Sequence, residues 1–295
     1  MKIGIDLGGS KIEAIVLDTE GRERWRERIV TPSGNYDAIL RSIAALVAQA
    51  EGVAQEACSV GLGTPGAASP ATGLMRNSNS LCLNGKALQA DLEKLLERPL
   101  RIANDANCFA LSEAVDGAGK GAHGVFGVIL GTGVGGGVVI DRHVLNGPNA
   151  IAGEWGHNIL QTDNDRPALL CYCGRAGCVE TWLSGPALAA DHEWATEEKL
   201  EVPEIVARAE AGDTACEATL QRYESRLARA LAIVINILDP DVVVLGGGLS
   251  NIDRLYANVP RLWQAHIFSD TVRTRLARHR HGDSSGVRGA AWLWD

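Results

Sequence analysis

No stretch of this chain approaches the roughly 18 consecutive apolar residues that cross a bilayer, so no membrane-embedded segment is expected. Basic charge is also in short supply. Against 36 Asp and Glu stand 28 Lys and Arg, a formal net charge of -8, which argues against a nucleic-acid partner recognised through a basic surface. The G-x-x-x-x-G-K-[ST] phosphate loop is missing, because Gly119-Lys120 is followed by Gly121. A first strand expected from Lys2 leaves no room for a leader peptide or a fused N-terminal DNA-binding module, which points to a cytoplasmic protein. Seven cysteines in that compartment are free thiols or metal ligands rather than disulfides. What remains is an ordinary globular composition, 46% hydrophobic and 22% charged, over 295 residues, enough for two domains that each bury a core.

The chain is organised around its first 18 residues. Two apolar runs, Ile3 to Leu7 and Ile12 to Leu17, flank Gly8-Gly9-Ser10, which reads as a β-hairpin. Asp6 ends the first strand, and Ser10 and Lys11 follow two bare glycines. Such a turn suits the phosphates of a nucleotide: the glycines expose backbone N–H groups, the hydroxyl donates, and the acid holds a metal ion through water. The pattern returns 123 positions later, where 126–141 lies over 3–18 without a gap and Gly8 meets Gly131. A weaker echo links Val60 to Gly66 with Val243 to Leu249, each a short strand entering a glycine turn. A repeat at this long period suggests two related domains. It is the layout of the actin, heat-shock chaperone and sugar-kinase superfamily, which the chain resembles.

Gly61-x-Gly-x-x-Gly66 also spells a dinucleotide fingerprint, but loop residues follow it and no acid stands about 20 positions on, so a Rossmann oxidoreductase is rejected. Arg22 to Arg28 alternates charge as an exposed edge strand does. Helical spacing of apolar residues marks Tyr36–Glu51 and Thr219–Leu238, the latter stopped at Asp239-Pro240. Asn104-Asp105 stands between a short strand and a helix from about Cys108. Asp105 is therefore either a helix N-cap or, facing a cleft, a base that takes the proton of an attacking hydroxyl. His157, Cys171, Cys173 and Cys178, with turns at Gly174 and Gly177, match a closed four-coordinate zinc site; the alternative is three buried thiols and a core histidine. His279 and His281 read as exposed strand positions rather than ligands.

Taken together, Asp6-Leu-Gly-Gly-Ser-Lys11, Asn104-Asp105, Gly131-Thr-Gly133, Glu154-Trp-Gly-His157, Cys171-x-Cys-Gly-x-x-Gly-Cys-x-Glu180 and Leu245-Gly-Gly-Gly248 resemble the ROK family of sugar kinases and repressors over essentially the whole chain. Asn77 to Ser80, Leu83-Asn-Gly85, Ser112 to Gly117 and the ending His281 to Trp294 are most similar to its bacterial fructokinases. Ser10 departs from the family's usual Thr, and Cys82 stands near where relatives place an aromatic residue. The resemblance implies an α/β, two-domain actin-like (ribonuclease H-like) ATPase fold with an inter-domain cleft. It implies a small domain over 1–117, rejoined by a C-terminal helix at 287–295, and a large domain over 118–286 that carries the zinc segment 157–178. It implies phosphorylation of the 6-hydroxyl of fructose by ATP; alternatives are glucose, mannose or an N-acetylhexosamine as acceptor, or a sugar sensor without catalysis. Asp105 would be the general base. Gly66, Asn79, Asn104, Asp105, Glu154, His157 and Glu180 would meet the sugar, with His157 also binding structural zinc beside Cys171, Cys173 and Cys178. Gly8, Gly9, Ser10, Lys11, Gly131, Thr132 and Gly133 would hold the ATP phosphates, Asp6 the magnesium shell, and Gly247 and Gly248 the adenine. A homodimer is expected.

Overall fold

The computed structural model describes residues 1–162, 166–282 and 285–294. Residues 283–284 of the C-terminal motif, 163–165 within the zinc segment and 295 of the expected terminal helix lie outside them. The chain opens with β1 (Lys2–Leu7), β2 (Lys11–Leu17) and β3 (Glu23–Val30), then α1 (Tyr36–Ala54) and β4 (Ser59–Thr64). A small ribbon of β5 (Ala67–Ala68) and β6 (Met75–Arg76) follows, then α2 (Leu88–Leu96), β7 (Arg101–Asn104) and α3 (Asp105–Val115). Next come β8 (Gly124–Leu130), β9 (Val134–Ile140) and β10 (His143–Val144), then α4 (Glu180–Leu183), α5 (Gly185–Thr196), α6 (Val202–Glu210) and α7 (Thr214–Leu238). β11 (Val242–Gly246), α8 (Leu255–Leu262), β12 (Arg275–Arg278) and α9 (Ser285–Trp292) complete it.

Two five-stranded sheets result, ordered β3-β2-β1-β4-β7 and β10-β9-β8-β11-β12. In the first, β1 pairs antiparallel with β2 and parallel with β4, which itself runs parallel to β7. In the second, β11 lies parallel to both β8 and β12. The charged strand β3 is an edge, as its alternating signs suggest, and its Arg26 and Arg28 pair with Glu13 on β2. β4 enters the β5–β6 ribbon rather than a helix, so Gly61 to Gly66 has no dinucleotide-binding context.

The chain divides into two compact units, 1–123 with 137–152 and 280–295, and 124–136 with 153–279. The first unit thus takes in 137–152 and everything from 280 onward, beyond the 1–117 and 287–295 expected. Its core is built by Ile3, Ile5, Ile12 and Leu62 from the sheet with Ile39, Ile43 and Leu46 from α1. Helix α9 packs on β1, β4 and α3 at backbone distance. A side chain at Gly4 would collide with the Val287 carbonyl and one at Gly61 with that of Ala290, so glycine is required at both crossings. His281 belongs to this unit and is half-buried, its Nε2 lying 2.9 Å from Asp116 Oδ1; tertiary packing gives it a carboxylate partner instead of the exposed strand position expected. In the second unit α7 packs against α5, α6 and α8, with Tyr223 and Leu227 fully buried and the Tyr223 hydroxyl donating to the Leu183 carbonyl at 2.9 Å. α7 starts five residues earlier than the apolar pattern indicates, because Asp213 caps the N–H groups of Ala215 and Cys216. Among the described residues no helix is long and apolar enough to cross a membrane.

Candidate functional site

The candidate residues fall into two sets, one on each unit. In the first unit the turn of the β1–β2 hairpin is closed by Gly8 N–H to the Lys11 carbonyl at 2.9 Å. Its carbonyls are occupied from outside: the Thr31 hydroxyl donates to Gly8, the Ser33 hydroxyl to Gly9, and the Thr31 N–H to Ser10. Gly9 and Ser10 are exposed and their N–H groups have no backbone partner among the described residues, an arrangement that suits an anion. Thr31 and Ser33 escaped the sequence reading; only their position after a strand that returns to the hairpin could have flagged them.

Asp6 sits on β1 just before this turn. Burial raises its pKa to about 6, and the charges of Asp105 and Glu13 push the same way against Lys11 and Arg28. A carboxylate held this far from comfort is suited to a cation. At the β7–α3 corner the two readings of Asn104-Asp105 separate. The cap is Asn104, whose side-chain oxygen accepts the Asn107 N–H at 2.7 Å. Asp105 is left as the first helical residue with its side chain reachable by solvent, one oxygen accepting the Ala106 N–H at 2.8 Å. Surrounding protein thins its hydration and raises its pKa, partly offset by that N–H.

Gly66 has φ +77, and a side chain there would strike the Arg76 carbonyl, so its backbone lies directly against the following ribbon. Asn79 is exposed on a loop that is pinned underneath: the Ser78 N–H donates to Asn84 Oδ1 and Asn84 Nδ2 donates back to the Ser78 carbonyl, both at 2.9 Å. A cavity of about 500 Å³ is lined by Gly9, Asn79 and Cys82, so the missing aromatic at Cys82 leaves room beside two of the candidate residues.

In the second unit the turn after β8 is closed by Gly131 N–H to the Gly133 carbonyl at 3.0 Å and receives the Gly185 N–H at the Gly131 carbonyl, leaving Thr132 exposed. Glu180, at the start of α4, accepts the Val134 N–H at 3.0 Å, and a side chain at Gly133 would run into the same carboxylate. Glu180 therefore ties the cysteine segment to this hairpin in addition to any contact with sugar. Glu154 and His157 bracket a single 3₁₀ turn. It is anchored by buried Trp155, whose Nε1 donates to the Gly135 carbonyl at 3.0 Å and whose ring meets Phe126 edge-on at 5.7 Å. Gly247, at φ +79, leaves β11 against the Leu130 carbonyl, and Gly248 beside it is open to solvent.

His157, Cys171, Cys173 and Cys178 converge, with their ligand atoms all within 4.8 Å of one another. Cys171 Sγ is 3.6 Å from His157 Nδ1, and Cys173 Sγ is 3.5 Å from Cys178 Sγ. A tetrahedral ion bonded at roughly 2.0 to 2.3 Å needs ligand edges of about 3.4 to 3.8 Å, so the set fits zinc. The N–H and guanidinium of Arg175 pull the Cys173 thiol down to about 6, toward the thiolate a metal requires. Nδ1 is the His157 nitrogen that faces the cysteines; Nε2 is 2.9 Å from the Tyr172 hydroxyl, a partner the sequence pattern does not single out. Tyr172 stacks edge-on to the imidazole at 5.0 Å and fixes which ring nitrogen faces outward.

The ROK family model matches residues 2–295. An N-acetyl-D-glucosamine kinase from Citrobacter koseri is 41% identical over 299 residues, covering 99% of each chain. Among solved structures, a ROK hexokinase from Thermus thermophilus is similar with a TM-score of 0.89 and 31% identity, over 99% of this chain and 97% of its own. A ROK family glucokinase from Streptomyces griseus, in complex with glucose and AMPPNP, gives a TM-score of 0.75 and 28% identity over 99% and 98%.

Proposed function

The chain belongs to the ROK family, and from that premise we propose that it is an ATP-dependent sugar kinase acting on the 6-hydroxyl of a hexose, N-acetyl-D-glucosamine before fructose. Its fold is the mixed α/β, actin-like ATPase fold with two sheets in two units. Asp105 carries the reading: its neighbour Asn104 does the capping, which frees a solvent-reachable carboxylate of raised pKa to act as base. Asp105 takes the proton of the acceptor hydroxyl as that oxygen bonds to the γ-phosphorus and the bond to the departing ADP breaks. The N–H groups of Gly9 and Ser10, with Lys11, and those of the Gly131 to Gly133 turn are assigned to ATP phosphates, and Gly247 and Gly248 to its base. Magnesium, when bound, would neutralise phosphate charge; Asp6 is the residue assigned to hold its water shell. Asn79, Asn104, Glu154, His157 and Glu180 are assigned to sugar hydroxyls, Gly66 to a backbone contact, and His157 with the three cysteines to structural zinc. The homodimer remains part of the proposal.

Fructose moves to second place. The motifs that favoured it are short, whereas the N-acetyl-D-glucosamine kinase likeness extends over 99% of the chain, and the space beside Cys82 admits a substituent larger than hydroxyl. The test is ATP consumption with N-acetylglucosamine, N-acetylmannosamine, glucose, mannose and fructose, each against a no-sugar control. At least tenfold higher kcat/KM for N-acetylglucosamine is expected. A fructose preference would restore the first expectation, and sugar-independent hydrolysis or no turnover would remove the kinase reading altogether.

A further inference from the structure

Away from every residue assigned above, the first unit holds a cavity of about 340 Å³ whose lining divides by chemistry. Ile102, Leu111 and Trp292 contribute an apolar floor, while Arg101, Arg142 and His143 are exposed side chains at its wall. No acidic side chain lines it among the described residues. Arg101 is held in place without a carboxylate among those residues: it donates to the Leu293 carbonyl at 2.5 Å and lies 4.5 Å from the Trp294 ring centroid. Arg142 is presented by a turn between β9 and β10 in which both central residues are left-handed, Asp141 at φ 48 and Arg142 at φ 65. Positive φ at both positions is what a two-residue hairpin turn requires, so the turn holds Arg142 at a defined place on the cavity wall.

We propose that this cavity binds a phosphate monoester with a ring-sized apolar body, the dianion held between Arg101 and Arg142 and the body on Trp292 and Ile102. Planar guanidinium groups favour phosphate oxygens, and the floor favours a ligand that is apolar away from its charge. Strand β7 and helix α3 furnish Ile102 and Leu111 on either side of Asn104 and Asp105, so occupancy bears on the corner that positions the proposed base. The binding site itself does not depend on the kinase reading.

Calorimetric titration of the full chain with phenyl phosphate, phenol and inorganic phosphate, in saturating AMP-PNP and magnesium, tests it. Phenyl phosphate should bind at least about tenfold more tightly than either fragment, and R101A and R142A should each weaken it about tenfold or more. R142A, on an exposed turn, guards against R101A acting through the lost Leu293 contact. Equal binding of phenol, no binding of phenyl phosphate with AMP-PNP present, or affinity unchanged in R142A would each overturn the proposal.

Discussion

The two glycine hairpins align without a gap yet differ in how the turn closes, Gly8 N–H on the Lys11 carbonyl but Gly131 N–H on that of Gly133, and in what surrounds it. Aligned at the 123-residue offset, Gly8 corresponds to Gly131, yet Asp6 corresponds to Ile129 and Glu13 to Gly136. The first hairpin carries its acids on its own strands: Asp6 beside the turn, and Glu13 buried with Arg26 and Arg28. The second has none and borrows one, Glu180, from the far end of the cysteine segment, while Trp155 occupies the space a side chain at 136 would need. A duplicated turn thus preserves the part that any anion needs, N–H groups and glycine clearance. The differences lie in the positions where the copies diverged: one hairpin is built next to the carboxylates Asp6 and Asp105, the other next to the loop that carries His157 and the three clustered cysteines.

The largest effect that would sharpen this contrast is expected from D105N. With the proposed proton acceptor gone, kcat should fall by about 10² to 10⁴-fold while ATP affinity stays within about tenfold, read by steady-state kinetics and nucleotide titration. Near-normal turnover would move the base elsewhere and erase the functional asymmetry of the first hairpin. On the second unit, purified protein should hold one zinc per chain by elemental analysis. C178S should lose that zinc and roughly several kcal/mol of unfolding stability, because Glu180 and His157 lose their shared anchor. Full stability and no zinc in the parent protein would leave three thiols and a histidine with no metal role.

Asp6 gives the smallest and most diagnostic effect. Its carboxyl has a higher pKa folded, about 6, than the ordinary 3.8, so the folded state binds the proton more tightly. Its contribution to stability is complete below pH 3.8 and lost as pH rises through about 6. Without added magnesium, the stability of D6N relative to the parent should therefore grow by roughly 2 to 3 kcal/mol between pH 4 and 7, measured by denaturant unfolding across that range. A difference independent of pH would show that Asp6 is not strained by its neighbours. I129D, placing the missing acid in the second hairpin, should not reproduce the effect if the surroundings rather than the turn create it.

Local sequence was sufficient wherever the determinant is local. The two hairpins, the repeat, the edge strand β3 and the four metal-ligand candidates all follow from strand patterning, glycine turns and cysteine spacing, which act within a few residues. Legibility ended where partners come from afar. Thr31 and Ser33 hold the first turn's carbonyls, His281 docks on Asp116, and Glu180 reaches Val134 across 46 residues; no spacing rule encodes such meetings. Asn104 and Asp105 show the boundary most clearly. Sequence placed two cap-competent residues side by side at a strand end, and both can accept a backbone N–H equally well in an isolated chain. Only the folded corner between β7 and α3 decided that Asn104 points back into the helix and Asp105 outward, since the direction of a side chain depends on the packing of both elements that meet there.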